Sequence, residues 1–121
     1  MNLPSSKPEE EQYQKIRPSD ALKTLSSQGC SVDIYAKSNK LTFGVTTIPA
    51  KKRLGRMAAH GGDEVYYVLQ GCCKVTLPRF DKVVELNVGD VFYMPAGCIH
   101  APFNEGDEDV VILWACAPEW P

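Results

Sequence analysis

Hydrophobic and polar residues alternate with a period of two through most of the chain after residue 30. The alternating runs are short, and turn-forming Gly, Pro, Asn and Asp residues separate them. The predicted strands cover residues 31–36, 41–48, 55–60, 64–70, 72–78, 82–86, 91–94, 99–103 and 109–116. Short strands at this spacing predict an all-β fold, either a small sandwich or a barrel.

The start of the chain has a different pattern. Residues 1–18 are rich in proline and acidic side chains, which predicts a loose arm. Ser19 and Asp20 can cap a short helix that runs through about Gln28 and stops at Gly29. The predicted organisation is an arm with a short helix, residues 1–30, followed by a barrel domain, residues 31–121.

Length and charge narrow the range of partners. A chain of 121 residues forms one domain, and 13 basic against 15 acidic side chains give a formal charge of −2. A chain with this charge balance has no excess of positive charge with which to bind a phosphate backbone. No apolar run approaches the ~20 residues that cross a bilayer, and the first residues lack the features of a signal peptide. We therefore expect a cytoplasmic protein that binds neither nucleic acid nor membrane.

The cysteine pattern excludes two common sites. The chain has five cysteines and no Cys-x-x-Cys pair, which argues against a zinc ribbon and a thioredoxin-type motif. We expect reduced thiols, some of them packed as small hydrophobic residues. Cys98 has an alternative role as a substrate contact or an oxidation target, because it lies two residues before His100.

Glycine and proline residues occur at specific positions in the segment before His100. Gly89 turns the chain into a strand, Pro95 and Gly97 form a tight turn, and His100 begins the returning strand. Five residues separate Gly89 from Pro95, and one residue separates Pro95 from Gly97. Two residues separate Gly97 from His100, and three separate His100 from Asn104. This pattern resembles the second signature of the cupin superfamily, and all five named positions match.

The other histidine lies in a segment that resembles the first cupin signature only in part. His60 is followed by Glu64 after three residues, and Gly71 follows Glu64 after six more. In that register His60 is the second histidine of the signature. Ala58 occupies the position of the first histidine, and Lys52 occupies that of the leading glycine.

The resemblance covers about residues 31–114 and implies a small single-domain barrel, a double-stranded β-helix or jelly roll, with a metal inside one end. The implied ligands are His60, Glu64 and His100. Two imidazoles and a carboxylate suit a divalent iron, manganese, nickel, copper or zinc ion. Ala58 supplies no ligand, so positions stay open for substrate. In the alternative reading, both histidines are core residues of a cupin that has lost its metal.

Alternate residues on a regular strand share a face, so Glu64 can point into the same cavity as His60 if residues 61–62 keep the pleat. Arg56 lies an even number of residues before His60 and so would share its face of the strand. Its side chain could hold a substrate carboxylate or phosphate, or else belong to a solvated rim. Tyr66 could line the cavity as a general acid or base, or be an ordinary core tyrosine. For Tyr93 we expect packing.

Three functions are compatible with these residues. The leading one is a metal-dependent isomerase, cyclase or lyase acting on a small oxygenated metabolite such as a sugar acid or hydroxy acid. The alternatives are a non-haem iron dioxygenase and a non-catalytic small-molecule-binding protein. We also predict a homodimer, with the segment 31–36 and the preceding arm crossing to the partner.

Overall fold

The structure, a computed structural model, describes residues 13–54 and 61–118. Nine strands in this part of the chain form two antiparallel sheets. The strands are β1 (Lys23–Ser27), β2 (Cys30–Lys37), β3 (Thr42–Ile48), β4 (Asp63–Gln70), β5 (Cys73–Leu77), β6 (Lys82–Leu86), β7 (Val91–Met94), β8 (Ala101–Phe103) and β9 (Val110–Ala117). The larger sheet has the order β1-β2-β3-β9-β4-β7, and the smaller one has the order β6-β5-β8. This architecture confirms the predicted all-β fold.

The core lies between the two sheets. In β3, β4, β5 and β9 every second side chain is buried, so one face of each strand points inward. Burying each Val or Ile side chain contributes roughly 1.5–3 kcal/mol to folding, which makes this interior the main source of stability. The most deeply buried aliphatic residues of the two sheets are Ile48, Val68, Val75, Val110 and Ile112.

The predicted helix through Gln28 is wrong. Only Pro18–Asp20 form a short 3₁₀ helix, and the chain then enters β1, which pairs with β2 in an antiparallel hairpin. Gln28 and Gly29 have φ angles of 51° and 85°, which are the left-handed angles of a two-residue hairpin turn. Strand pairing therefore outweighs the helix cap and the helix stop that the sequence offered.

The pairing of β2 bears on the predicted dimer. This strand lies between β1 and β3, so both of its edges are paired within the chain. The homodimer, its crossing segment 31–36 and the domain division near residue 30 stay predictions. The predicted strand 55–60 lies outside the described residues.

Two further expectations can be compared with the described part of the chain. All five cysteines are present as thiols, and three of them are buried. Within residues 13–54 and 61–118, no helix has both the length and the apolar character needed to cross a membrane.

Gly44 provides a test of the packing between strands. It pairs directly with Trp114 of β9, and the indole occupies the space that a Gly44 side chain would need. A methyl group there would overlap Trp114 Cζ2 and lie 2.6 Å from the backbone oxygen of Asp33. We expect Gly44→Ala to lower the free energy of unfolding by about 1–3 kcal/mol, measured by urea denaturation.

The matched control is Gly61→Ala. A methyl group at Gly61 meets no atom of the described chain within 4 Å, so this variant should unfold near the wild-type midpoint. Equal stability of the Gly44 and Gly61 variants would contradict the packing of Trp114 over Gly44.

Candidate functional site

Glu64 is placed in the interior by the alternation of β4. Glu64, Tyr66 and Val68 point inward, while Val65 and Tyr67 between them are exposed. Glu64 is only 5% exposed although it carries a carboxylate. The predicted shared face of Glu64 and Tyr66 is therefore present.

The turn between β7 and β8 places His100 in the interior. Cys98 N donates to Pro95 O at 3.1 Å, and Gly97 has a φ of 81°. Glycine suits this position because a positive φ at the third residue of such a turn strains other side chains. His100 follows directly, before β8 begins, and is 2% exposed.

The structure brings Glu64 and His100 into direct contact. Glu64 Oε1 lies 3.0 Å from His100 Nε2, and His100 Nδ1 lies 2.9 Å from the backbone oxygen of Cys98. Because a carbonyl oxygen only accepts, Nδ1 carries a proton and donates it. Nε2 then faces a carboxylate oxygen, which is favourable only when a proton or another positive charge lies between them.

The pKa of His100 follows from this arrangement. Burial lowers it, but the hydrogen bonds to Glu64 and to the Cys98 carbonyl, with the charge of Glu64, raise it above its ordinary value on balance. The site therefore attracts a positive charge at the Nε2–Oε1 contact.

Tyr66 packs against this pair. Its ring meets the His100 imidazole edge to face, with centroids 5.8 Å apart and planes at 80°. Burial, and then the nearby Glu64, Cys73 and Cys98, raise the pKa of the phenol well above its ordinary value. At neutral pH Tyr66 therefore offers a neutral hydroxyl that can donate a proton or a hydrogen bond.

The sequence reasoning missed Asp63. Its two carboxylate oxygens accept hydrogen bonds from the Tyr93 hydroxyl at 3.1 Å and from the Ala96 backbone N–H at 2.9 Å. Asp63 thus ties the start of β4 to the turn that carries His100. The expected packing role of Tyr93 is wrong, because the side chain is 57% exposed and donates to Asp63.

Asn104, the last position of the second motif, has a structural role. Its side-chain amide donates to the backbone oxygens of Ile48 at 2.9 Å and Glu108 at 2.8 Å, and its oxygen accepts from Gly106 N at 2.8 Å. These bonds join the end of β3 to the turn before β9. Asn104 therefore anchors the chain just beyond β8, on the far side of His100.

The remaining candidates divide into two groups. His60 and Arg56 lie outside the described residues, as does Ala58, so their predicted roles stay predictions. Cys98 is half-buried and packs against the core, as expected for a residue next to the turn. Within residues 13–54 and 61–118, no cluster of three or more His, Cys, Asp or Glu side chains is arranged to hold a metal.

The distance between Glu64 and His100 can be compared with the geometry of metal ligands. Two donor atoms about 2.1 Å from one ion and at right angles to each other lie about 3.0 Å apart. At 3.0 Å, Nε2 and Oε1 are close enough either to share a proton or to bind one ion together. Fixing Nδ1 as a donor also leaves Nε2 as the ligand atom, which is the usual arrangement of metal-binding histidines. These two residues fit a divalent cation.

Asp63 gives a prediction for the turn. We expect Asp63→Ala to lower the urea midpoint because it removes both acceptors at once, and Tyr93→Phe to lower it less because it removes one donor. Tyr67→Phe is the matched control, because Tyr67 lies on the same strand as Asp63 and is exposed like Tyr93. A midpoint unchanged in Asp63→Ala would show that the turn does not depend on this carboxylate.

Solved structures share this architecture. The polyketide cyclase RemF from Streptomyces resistomycificus aligns with a TM-score of 0.74 and 15% identity, over 90% of this chain and 82% of that one. A predicted oxalate decarboxylase from Thermotoga maritima aligns with a TM-score of 0.68 and 24% identity, over 87% of this chain and 99% of that one. An RmlC-like cupin from Shewanella frigidimarina aligns with a TM-score of 0.71 and 16% identity, over 90% and 92%.

At these identities the structural likeness shows a common fold. No curated protein matches the chain. The sequence model of the cupin domain, however, matches residues 44–116, which run from within β3 to within β9 and contain both signature segments. The match, the fold and the geometry around His100 agree, and the chain belongs to the cupin family.

Proposed function

We propose that this cupin binds a divalent metal ion and acts as an isomerase, cyclase or lyase on a small oxygenated metabolite such as a sugar acid or hydroxy acid. The observation that carries the proposal is the buried contact between Glu64 Oε1 and His100 Nε2. Two acceptor atoms held together away from water need a positive charge between them, and a divalent ion can take the place of the proton.

His60 completes the proposed ligand set through the resemblance to the first cupin signature. The metal is iron, manganese, nickel, copper or zinc, the ions that suit imidazole and carboxylate ligands. When bound, such an ion supplies Lewis acidity to a carbonyl or hydroxyl oxygen of the substrate. In the register of the first signature, Ala58 takes the place of the family's fourth ligand and has no donor atom, so the proposed set leaves a coordination position for substrate.

The chain's own residues supply the remaining steps of the proposal. Glu64 and His100 hold the ion, and the hydrogen bond from Nδ1 to Cys98 O fixes the orientation of the imidazole. Tyr66 stays protonated at neutral pH and donates a proton or hydrogen bond to an oxygen that gains charge. Arg56 is proposed to bind the substrate carboxylate as a bidentate pair.

Known members of the fold support this reaction class without deciding the substrate. RemF is a polyketide cyclase, and the Thermotoga maritima protein is a predicted oxalate decarboxylase. A common fold places a site but does not transfer an activity at such low identity. The substrate class therefore depends on the residues of the site and on direct assay.

A second candidate is a non-haem iron dioxygenase. The contact of 3.0 Å between Glu64 Oε1 and His100 Nε2 brings together one carboxylate and one imidazole donor. With His60 they would form the set of two histidines and one carboxylate that holds iron in such oxygenases. Turnover of the same carboxylate substrates under nitrogen favours the first function, and turnover that consumes oxygen favours the second.

Metal content tests the binding part of the proposal. Protein purified without chelator should contain about one divalent ion per chain. In His100→Ala and Glu64→Gln the metal affinity should fall by at least about 10-fold, because each variant loses one of three ligands. Elemental analysis after dialysis measures this. Tyr66→Phe is the matched control, since it removes no ligand and should keep the metal while losing turnover.

Full metal occupancy in His100→Ala would contradict the assigned site. Metal-free wild-type protein that binds a small carboxylate without converting it would favour the third function, a non-catalytic binding protein.

Ala58 gives a prediction in the opposite direction. Ala58→His restores the fourth ligand of the family signature, so the ion should be retained longer during dialysis. The new imidazole would also occupy the open position, so turnover should fall. Unchanged retention would show that the register assigned to His60 is wrong.

A further inference from the structure

The inward side chains at one end of the larger sheet form a row that contains Glu64. The strand register aligns this row across β3, β9, β4 and β7 as Thr42, Cys116, Glu64 and Met94. All four residues are at most 5% exposed. Side chains directly opposite each other on antiparallel strands have Cβ atoms about 4.5–5.5 Å apart, so Cys116 is an immediate neighbour of the buried carboxylate. No step of the proposed function uses Cys116.

Cys116 is hydrogen-bonded to the segment that leads into β4. Burial, and then the charge of Glu64, raise the pKa of the Cys116 thiol to about 11, and the Gly62 N–H, which donates to the sulfur, lowers it less. The group is therefore a neutral thiol at neutral pH, with a sulfur that accepts a hydrogen bond. Gly62 is buried, and a buried N–H needs an acceptor, which Cys116 supplies.

The backbone of Ala117 packs closely against Gly62. A methyl group at Gly62 would overlap the carbonyl oxygen of Ala117 and lie 2.6 Å from its carbonyl carbon. Glycine is the residue that lets two backbones approach so closely. The end of β9 therefore holds Gly62 through the sulfur of Cys116 and the backbone of Ala117, two residues before Glu64.

The same segment is also held from its outward side. Asp63 is exposed, whereas Gly62 and Glu64 on either side of it are buried. Its carboxylate accepts hydrogen bonds from β7 and from the turn that follows β7. Consecutive residues are thus anchored on opposite faces of the chain, and the Glu64 carboxylate follows directly, 3.0 Å from His100 Nε2. A shift of the backbone at this point would change that contact.

We propose that Cys116 is a positioning residue for Glu64: its sulfur holds the Gly62 N–H, which fixes the start of β4 and keeps the carboxylate against His100. The consequence for metal affinity rests on the proposed function, whereas the effect on the contact between Glu64 and His100 requires no metal. A metal-ligating cysteine is a thiolate. Among the described residues, Cys116 does not join Glu64 and His100 in a cluster arranged to hold a metal.

Three variants of buried cysteines test this role. Cys116→Ala removes the acceptor, and Cys116→Ser replaces it with a hydroxyl oxygen that can still accept. Cys30→Ala is the matched control, because it removes a similarly buried thiol from β2. In cobalt(II) titrations followed by visible absorption, we expect Cys116→Ala to lower the affinity by about 10-fold or more, as for outer-shell residues of other metal sites. The Cys116→Ser and Cys30→Ala variants should bind cobalt like the wild type.

The cobalt spectrum also separates a positioning residue from a ligand. A thiolate bound to cobalt(II) gives a strong charge-transfer band in the near ultraviolet, and a thiol bonded only to Gly62 does not. We expect no such band in the wild type. A band that disappears in Cys116→Ser would overturn the proposal. Equal cobalt affinity in Cys116→Ala and Cys30→Ala would overturn it as well.

A measurement on metal-free protein decides the proposal even if the wild type binds no cobalt, a result that would contradict the proposed metal site alone. The ¹⁵N NMR shift of His100 Nε2 reports its contact with Glu64. We expect this shift to change in Cys116→Ala and to match the wild type in Cys116→Ser and Cys30→Ala. An unchanged shift in Cys116→Ala would overturn the proposal.

Hydrogen exchange of the wild type keeps the test valid if Cys116→Ala does not fold. The Gly62 amide should exchange slowly in metal-free protein, because its N–H is buried and bonded to the Cys116 sulfur. Exchange of this amide as fast as that of an open, solvated amide would show that the bond does not hold the start of β4, and would overturn the proposal.

Discussion

The contact between Glu64 and His100 is the constraint around which the site is built. Both nitrogens of the imidazole face oxygen atoms, the Cys98 carbonyl on one side and the Glu64 carboxylate on the other. The two side chains are almost completely buried. A buried carboxylate without a compensating charge is strongly destabilising, so the interior requires a proton or a cation at this contact. Stability and ligand chemistry therefore depend on the same two residues.

Polar anchors on both sides of His100 keep this contact in place. Asp63 holds the turn before it through Tyr93 and the Ala96 N–H, and Asn104 holds the chain beyond β8 through backbone groups of β3 and the following turn. Each anchor joins segments that are distant in sequence, so His100 lies on a short stretch fixed at both ends. Such preorganisation suits a metal ligand, whose affinity depends on the surrounding hydrogen bonds.

The sequence predicted those features whose signals are local. The strands β6 and β7 begin and end where alternation and turn residues placed them, because parity and turn chemistry act over a few residues. β1 was missed because a Gln-Gly hairpin turn lacks the usual Asn or Asp and resembles a helix stop. Asp63 was missed because its partners lie about thirty residues away, at distances that no local pattern encodes. The proximity of Glu64 and His100 came from the motif resemblance.

The strand β4 also shows why alternation alone could not identify the inside of the protein. A period of two separates two faces without saying which one is buried. In most half-exposed strands the apolar face is inside, but here a carboxylate and a phenol point inward while Val65, Tyr67 and Leu69 point outward. The inward carboxylate is acceptable because a proton or a cation at its contact with His100 compensates its charge. The outward apolar groups leave exposed hydrophobic surface on β4, so the burial of this strand is the reverse of what its alternation alone would suggest.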